Sequence, residues 1–249
     1  EASGDLHGSN LMRSLKDCDP AADFLFFGGD LMAAQGGHML KHYRDMAFMG
    51  AIDVIMNMGK IRDNFRLCRQ QLLEFRPDVL ILIDYPGFNL KMAKFAAQHN
   101  IPVFYFILPK VWAWKAWRTK ALKRYVAGMF SIFPFEVPFF RKYGAEVKYV
   151  GNPLMDAVKE VVASSGDLMA FFRENNLPEK PLVALLPGSR AQEIRLMLPV
   201  MSRLAADFPE FCFVISGTNA VDPGLYEQFS CDPAVPVLFG KTYEILKYA

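Results

Sequence analysis

The sequence predicts an α/β protein built on parallel sheets in two domains, the second of them incomplete. Three observations lead there. Short runs rich in leucine and β-branched residues recur along the chain, as strands buried on both faces require. Amphipathic stretches with helical spacing lie between them, and strand–helix–strand alternation gives parallel sheets covered by helices. Turns containing glycine or proline follow several of the runs, and ligand sites in such sheets lie beyond the carboxyl ends of the strands.

Taken in order, Glu1-Ala-Ser-Gly-Asp5 reads as a turn that opens a helix over His7–Lys16, and such a turn normally follows a strand. The strand that would feed it is expected to precede Glu1. Phe24–Gly29 is a short apolar run ending in glycines, and Ile61–Phe75 has the spacing of an amphipathic helix. Val79–Ile83, Val103–Ile107, Gly128–Phe133 and Val147–Val150 read as successive strands, with a helix over Leu90–Gln98. The stretch Leu154–Glu179 is helical and more polar, and Pro178 and Pro181 punctuate it. The strand–helix rhythm then restarts with Leu182–Leu186, a helix over Arg195–Asp207, strands at Phe211–Ile215 and Val235–Phe239, and a helix from Tyr243. The domains are therefore placed at 1–156 and 157–249. About three strands are too few to complete the second sheet, since sheets average ~5–6.

The chain has 249 residues, 52% of them hydrophobic and 22% charged, so two sizeable cores are possible. A net charge of only +2 argues against a dedicated nucleic-acid binder, but the charge is uneven. No Asp or Glu occurs between Tyr85 and Phe135, where Lys91, Lys94, Lys110, Lys115, Arg118, Lys120, Lys123 and Arg124 fall. Such a field favours anionic ligands or an anionic membrane surface. Cys18, Cys68, Cys212 and Cys231 form no CxxC pair, which fits reduced thiols in a cytosolic protein. His38 and His42 are four apart without an acidic or cysteine partner at metal-site spacing, so the histidines, His7 and His99 included, read as structural or surface residues and no metal is expected.

Three segments are chemically informative. Leu186-Pro-Gly-Ser-Arg-Ala-Gln-Glu-Ile194 follows a buried strand and opens a helix. Helix N-termini attract anions, Gly188 permits a phosphate to approach the backbone, Ser189 donates a hydroxyl, and Arg190 grips phosphate oxygens; Glu193 caps the helix or takes a sugar hydroxyl. The same spacing also fits a turn capped by Ser189 with no ligand at all. In Ile83-Asp-Tyr-Pro-Gly-Phe-Asn89, Asp84 ends a strand at the mouth of the sheet, and Asn89 is placed to cap the next helix. Partial burial of that carboxylate would suit a general base. It is equally an Asp that bonds the amides of its own turn. Pro109–Arg118 interleaves Trp112, Trp114 and Trp117 with Lys110, Lys115 and Arg118. That pattern fits a ligand-facing loop, a base-stacking platform or a membrane-interface element, or core packing of two of the three rings.

In this order the segments resemble the lipid-A-disaccharide synthase family of inverting GT-B glycosyltransferases. The resemblance runs through Glu1-Ala-Ser-Gly-Asp5, Phe48-Met-Gly50 with Val54, and Arg76-Pro-Asp78 with Asp84, Pro86, Phe88 and Asn89. It continues through Pro109 and Val111-Trp-Ala-Trp114, Pro134-Phe-Glu136, Val150-Gly-Asn-Pro153 with Asp156, and Leu186-Pro-Gly-Ser-Arg190 with Glu193.

The resemblance implies two Rossmann-like domains facing a cleft. Residues 1–156 would form the acceptor-side domain, without its first strand, and 157–249 the interdomain helices and part of the UDP-sugar-binding domain. It implies transfer of 2,3-diacylglucosamine from its UDP derivative to 2,3-diacylglucosamine 1-phosphate, with no metal and no cofactor. Asp84 becomes the base, and Gly188, Ser189, Arg190 and Glu193 hold the donor diphosphate. Ser3, Gly4, Asp5, Asn89, Trp112, Trp114, Glu136 and Asn152 belong to acceptor and cleft loops. Val54, Ile55, Met58 and Ile61 touch lipid in a peripheral contact with an anionic membrane, on the cytoplasmic face of the inner membrane. Another GT-B transferase, a UDP-sugar epimerase, or a non-catalytic module that binds anionic lipid are the competing readings. The family commonly has His at positions 105 and 152 and Ser at 108, where this chain has Tyr105, Asn152 and Leu108, so no acid–base role is expected of Asn152. A further nucleotide-binding segment of the family is expected beyond Ala249.

Overall fold

The computed structural model describes residues 2–46, 56–232 and 234–249. Val54, Ile55 and the Phe48–Gly50 segment lie outside them. The chain divides into two compact units, Glu1–Pro153 and Leu154–Ala249. All strand pairings among the described residues are parallel.

The first unit opens with α1 (Ala2–Cys18), followed by β1 (Leu25–Gly28), α2 (Asp30–Ala33) and β2 (His38–His42). Where a turn was expected, residues 2–5 instead form the first turn of α1, and an acidic Asp5 there suits the helix dipole. Next come α3 (Met58–Phe75), β3 (Leu80–Ile83), α4 (Pro86–Gln98), β4 (Val103–Phe106), α5 (Thr119–Tyr125), β5 (Gly128–Ser131), α6 (Glu136–Lys142) and β6 (Lys148–Tyr149). β1 pairs with β2, and β3–β4–β5–β6 form a four-stranded sheet in that order. A cavity of about 250 Å³ lies between Leu25–Gly28 and Leu80–Ile83, walled mainly by side chains such as Met32, Leu72, Phe88 and Met92.

Burial explains the order of the sheet. Val103 and Tyr105 are within 1% of fully buried, and Ala93 and Ala96 of α4 are completely so. The two alanines let α4 lie close on the strands, while Leu122 and Phe140 close the same core from α5 and α6. Each large apolar side chain buried in this way stabilises by about 1.5–3 kcal/mol.

The second unit runs α7 (Leu154–Ser164), α8 (Leu168–Glu174), β7 (Leu182–Leu185), α9 (Ala191–Met201), α10 (Leu204–Asp207), β8 (Cys212–Gly217), α11 (Gly224–Phe229), β9 (Val237–Phe239) and α12 (Thr242–Tyr248). β8 is central and buried along its whole length. Alternation sends Phe213 and Ile215 into one core with Ile194 and Leu198, and Cys212 and Val214 into another with Phe171, Phe172 and Ile245. The single helix expected over 195–207 is two, because it starts at Ala191 and stops at Met201. There Ser202 Oγ donates to the Leu198 carbonyl and accepts from the Cys231 amide.

All four cysteines are free, and burial raises the Cys68 thiol to about 12. No group of three or more His, Cys, Asp or Glu among the described residues is arranged to hold a metal ion.

Candidate active site

Asp84 directly follows β3, and Pro86 starts α4. Asp84 and Tyr85 both adopt left-handed backbone, with φ of 42° and 44°. That conformation costs about 1–2 kcal/mol per non-glycine residue, so two in succession need external support. The Asp84 amide donates to the Ile107 carbonyl at 3.2 Å. The Asp84 carbonyl accepts from the Tyr105 hydroxyl and from Asn89 Nδ2, the latter at 2.7 Å. Asn89 Nδ2 also reaches the Ile83 carbonyl at 3.0 Å, and the Tyr85 hydroxyl reaches the Met46 carbonyl at 3.2 Å.

Two expectations are corrected here. Asn89 does not cap α4; it sits buried in the first turn and ties that helix to the end of β3. Asp84 is exposed rather than partly buried. Its backbone is pinned from several directions at the end of β3.

Several other candidate residues serve the fold. Asp5 is 5% exposed, and its carboxylate accepts from the amides of Gly29 at 2.8 Å, Leu31 at 3.0 Å and Met32 at 3.0 Å. It therefore holds the start of α2, and it also lines the cavity between β1 and β3. Glu136 is 1% exposed, takes the Trp112 indole N–H at 3.0 Å and the Ser131 hydroxyl, and is likewise structural. Burial pushes its carboxyl above the usual range, opposed by those two donors and by Lys110. Ser3 is exposed and Gly4 half-buried on α1, and Asn152 is half-buried beside Gly151, whose φ is 86°.

The tryptophans are not core residues: Trp112, Trp114 and Trp117 are 40%, 60% and 66% exposed. Lys115 Nζ lies 4.0 Å from the centre of the Trp114 ring, and Arg118 lies over both Trp114 and Trp117. Arg118 also acts electrostatically on the Tyr105 hydroxyl, so the basic aromatic loop approaches the Asp84 turn.

In the second unit the loop after β7 carries Gly188 with φ 117°. A side chain there would be strained, and its Cβ would come within 2.6 Å of the Glu193 Cβ and 2.5 Å of Oε2. The group packed against Gly188 is thus Glu193, for which the sequence offered a helix cap or a sugar hydroxyl, and the resemblance the donor diphosphate. Ser189 is not the N-cap; Arg190 is. Glu193 accepts from the Ser189 amide at 3.0 Å and from the Arg190 guanidinium at 3.0 Å. The Ser189 amide chiefly, with help from Arg190, holds the Glu193 carboxyl below its ordinary value, and burial opposes them. The stabilisation from this contact is present above the unfolded pKa and lost as pH falls through the depressed one.

A carboxylate therefore occupies the anion-attracting end of α9. Glu193→Gln is expected to tighten binding of inorganic diphosphate about two- to five-fold, the effect of removing one charge at a helix N-terminus. Isothermal titration measures it, and unchanged or weaker affinity would show that the carboxylate does not oppose the anion.

Sequence reasoning did not join Tyr105 to the Asp84 turn. Tyr105 reaches it because β4 pairs with β3 in a register that sets Leu82 beside Tyr105. On α1, burial lowers the His7 imidazole below its ordinary pKa, and the Asp84 carboxylate opposes this.

Helix-covered parallel sheets in two units, with candidate residues beyond strand ends, are features of the GT-B fold. Solved structures agree on the fold: a UDP-GlcNAc 2-epimerase from Neisseria meningitidis superposes with a TM-score of 0.60 over 100% of this chain and 73% of its own, at 10% identity. A putative UDP-N-acetylglucosamine 2-epimerase from Listeria monocytogenes gives 0.60 over 98% and 70%, also at 10% identity. At that identity the likeness is one of fold alone.

The family follows from the sequence. The lipid-A-disaccharide synthetase family model matches residues 1–228, and the chain belongs to that family. Lipid-A-disaccharide synthases of Geobacter sulfurreducens and Trichlorobacter lovleyi are 38% and 39% identical over 90% and 96% of this chain. The chain spans 59% and 61% of the length of those two relatives.

Proposed function

We propose that the protein works in the sugar transfer for which its family is named. It passes 2,3-diacylglucosamine from a UDP donor to the 6-hydroxyl of 2,3-diacylglucosamine 1-phosphate. The observation that carries this reading is Asp84, exposed on a turn whose backbone Tyr105 and Asn89 hold in place. Asp84 takes the proton of the acceptor hydroxyl while that oxygen attacks C1 of the donor sugar. The C1–O bond to the diphosphate breaks with its electron pair on UDP, and attack from the opposite face inverts C1. The Ser189 amide and Arg190 supply the donors for the diphosphate.

The test is an assay of the full-length protein with both substrates. A β-1,6 disaccharide and one UDP for each bond formed are expected, with no UDP released when the acceptor is left out. Conversion of the donor sugar without an acceptor would favour an epimerase instead.

Both substrates carry acyl chains, and the reading extends to peripheral contact with the cytoplasmic side of an anionic membrane. Met56 and Met58 are 78% and 62% exposed, beside half-buried Ile61 at the start of α3. No helix among the described residues is long and apolar enough to cross a membrane. Met58→Glu with Ile61→Glu is expected to reduce pelleting with phosphatidylglycerol-containing liposomes several-fold. Undiminished pelleting would remove this patch from the contact.

A further inference from the structure

The loop that joins β4 to α5 carries all three tryptophans of the chain. It leaves the sheet at Ile107, whose carbonyl accepts from the Asp84 amide at 3.2 Å, so the loop and the Asp84 turn share one carboxyl edge of the sheet. Both ends of the loop are fixed. Leu108, Val111 and Thr119 are 4% exposed or less, and the Trp112 indole N–H donates to buried Glu136 at 3.0 Å. Between these anchors Trp114 and Trp117 are exposed. The Arg118 guanidinium lies 5.8 Å from the centre of the Trp114 ring and 5.7 Å from that of Trp117, and Lys115 Nζ lies 4.0 Å from the centre of the first. The indole faces attract both cations, but the two cations repel each other. Among the described residues, neither the Arg118 nor the Lys115 side chain makes a hydrogen bond or an ion pair. No Asp or Glu occurs between Tyr85 and Phe135 to supply one locally. Contact with ring faces leaves the guanidinium N–H donors without an oxygen acceptor.

We propose that Arg118, aided by Lys115, binds the phosphate of the acceptor, a sugar phosphomonoester. The proposal rests on the reading of Asp84 as the base and deepens it. Asp84 meets a hydroxyl of the acceptor, so the acceptor lies along this edge of the sheet, and its 1-phosphate is its one charged group. A planar guanidinium takes two phosphate oxygens at once, and the Lys115 ammonium adds a second charge to match a dianion. Trp114 and Trp117 hold the guanidinium before the phosphate arrives, which reduces the ordering cost of binding. The phosphate of a lipid headgroup offers the same chemistry, and the test separates the two sources.

The test uses the full-length protein, Arg118→Ala and Arg118→Lys, with a short-chain acceptor that carries or lacks its 1-phosphate, in solution free of vesicles. By isothermal titration the wild type is expected to bind the phosphorylated acceptor at least tenfold more tightly than the dephosphorylated one. Arg118→Ala is expected to lose most of that preference, with its acceptor KM raised at least tenfold and its donor KM within twofold. Arg118→Lys is expected to fall between, because lysine keeps the charge but not the fork. Equal binding of the two acceptors by the wild type, an unchanged acceptor KM in Arg118→Ala, or a preference that survives that substitution in full would each overturn the assignment. Loss only of pelleting with phosphatidylglycerol-containing liposomes would also overturn it and make the loop a bilayer contact. Full turnover by Asp84→Asn, with the phosphate preference still dependent on Arg118, would overturn the reading of Asp84 and leave the phosphate site standing.

Discussion

Asp84→Asn is expected to lower the rate of sugar transfer about 10²- to 10⁴-fold in the full-length protein, the range a positioned general base supplies. Donor binding is expected to stay within twofold. The substitution is close to isosteric, and asparagine tolerates left-handed backbone as aspartate does. The bonds that hold the turn come from the Asp84 amide and carbonyl, through Ile107, Tyr105 and Asn89, and asparagine keeps both groups. The loss should therefore fall on the chemical step, not on folding. Single-turnover kinetics beside a UDP-binding titration separates the two, and a decrease smaller than tenfold would remove Asp84 as the base.

Asp5→Ala is expected to have the largest effect on stability, about 3 kcal/mol or more. Its buried carboxylate accepts from three amides of the Gly29–Met32 turn, and hydrogen bonds to a charged group contribute about 1.5–3 kcal/mol each. Truncation leaves those amides without an acceptor at the start of α2, where loss of a cap alone costs about 1 kcal/mol. Asp5→Asn keeps the oxygen that serves Gly29 and Met32 but not the one that serves Leu31, so an intermediate loss is expected. Urea unfolding measures both. A shift below 1 kcal/mol for Asp5→Ala would show that solvent replaces the carboxylate.

The strands of both units were legible wherever continuous apolar runs made them so. Val79–Ile83, Val103–Ile107 and Leu182–Leu186 lie within about a residue of β3, β4 and β7. β2 was missed because His38-Met-Leu-Lys-His42 mixes polar and apolar residues and has no fully buried position. At the site, Asp84 could be found from its place at a strand end. Asp5 and Glu136 were placed in acceptor and cleft loops, but their hydrogen-bond partners could not be read from the chain: Gly29 is 24 residues from Asp5, and Trp112 is 24 from Glu136. The link from Tyr105 to Asp84 was hidden for the same reason, since only strand register makes it.

The Glu193 carboxylate at the start of α9 has a consequence for selectivity. A group tethered four residues from the Ser189 amide is present there at high effective concentration, so the amide is rarely bare. If the donor diphosphate binds at that loop as proposed, its binding is an exchange of one anion for another. A lone phosphate gains little from such an exchange, because it wins only the contacts that Glu193 gives up. An anion anchored elsewhere by a second group carries its own tether and competes on equal terms. The same exchange in reverse refills the loop once the anion has left, so the internal carboxylate opposes rebinding as well as entry.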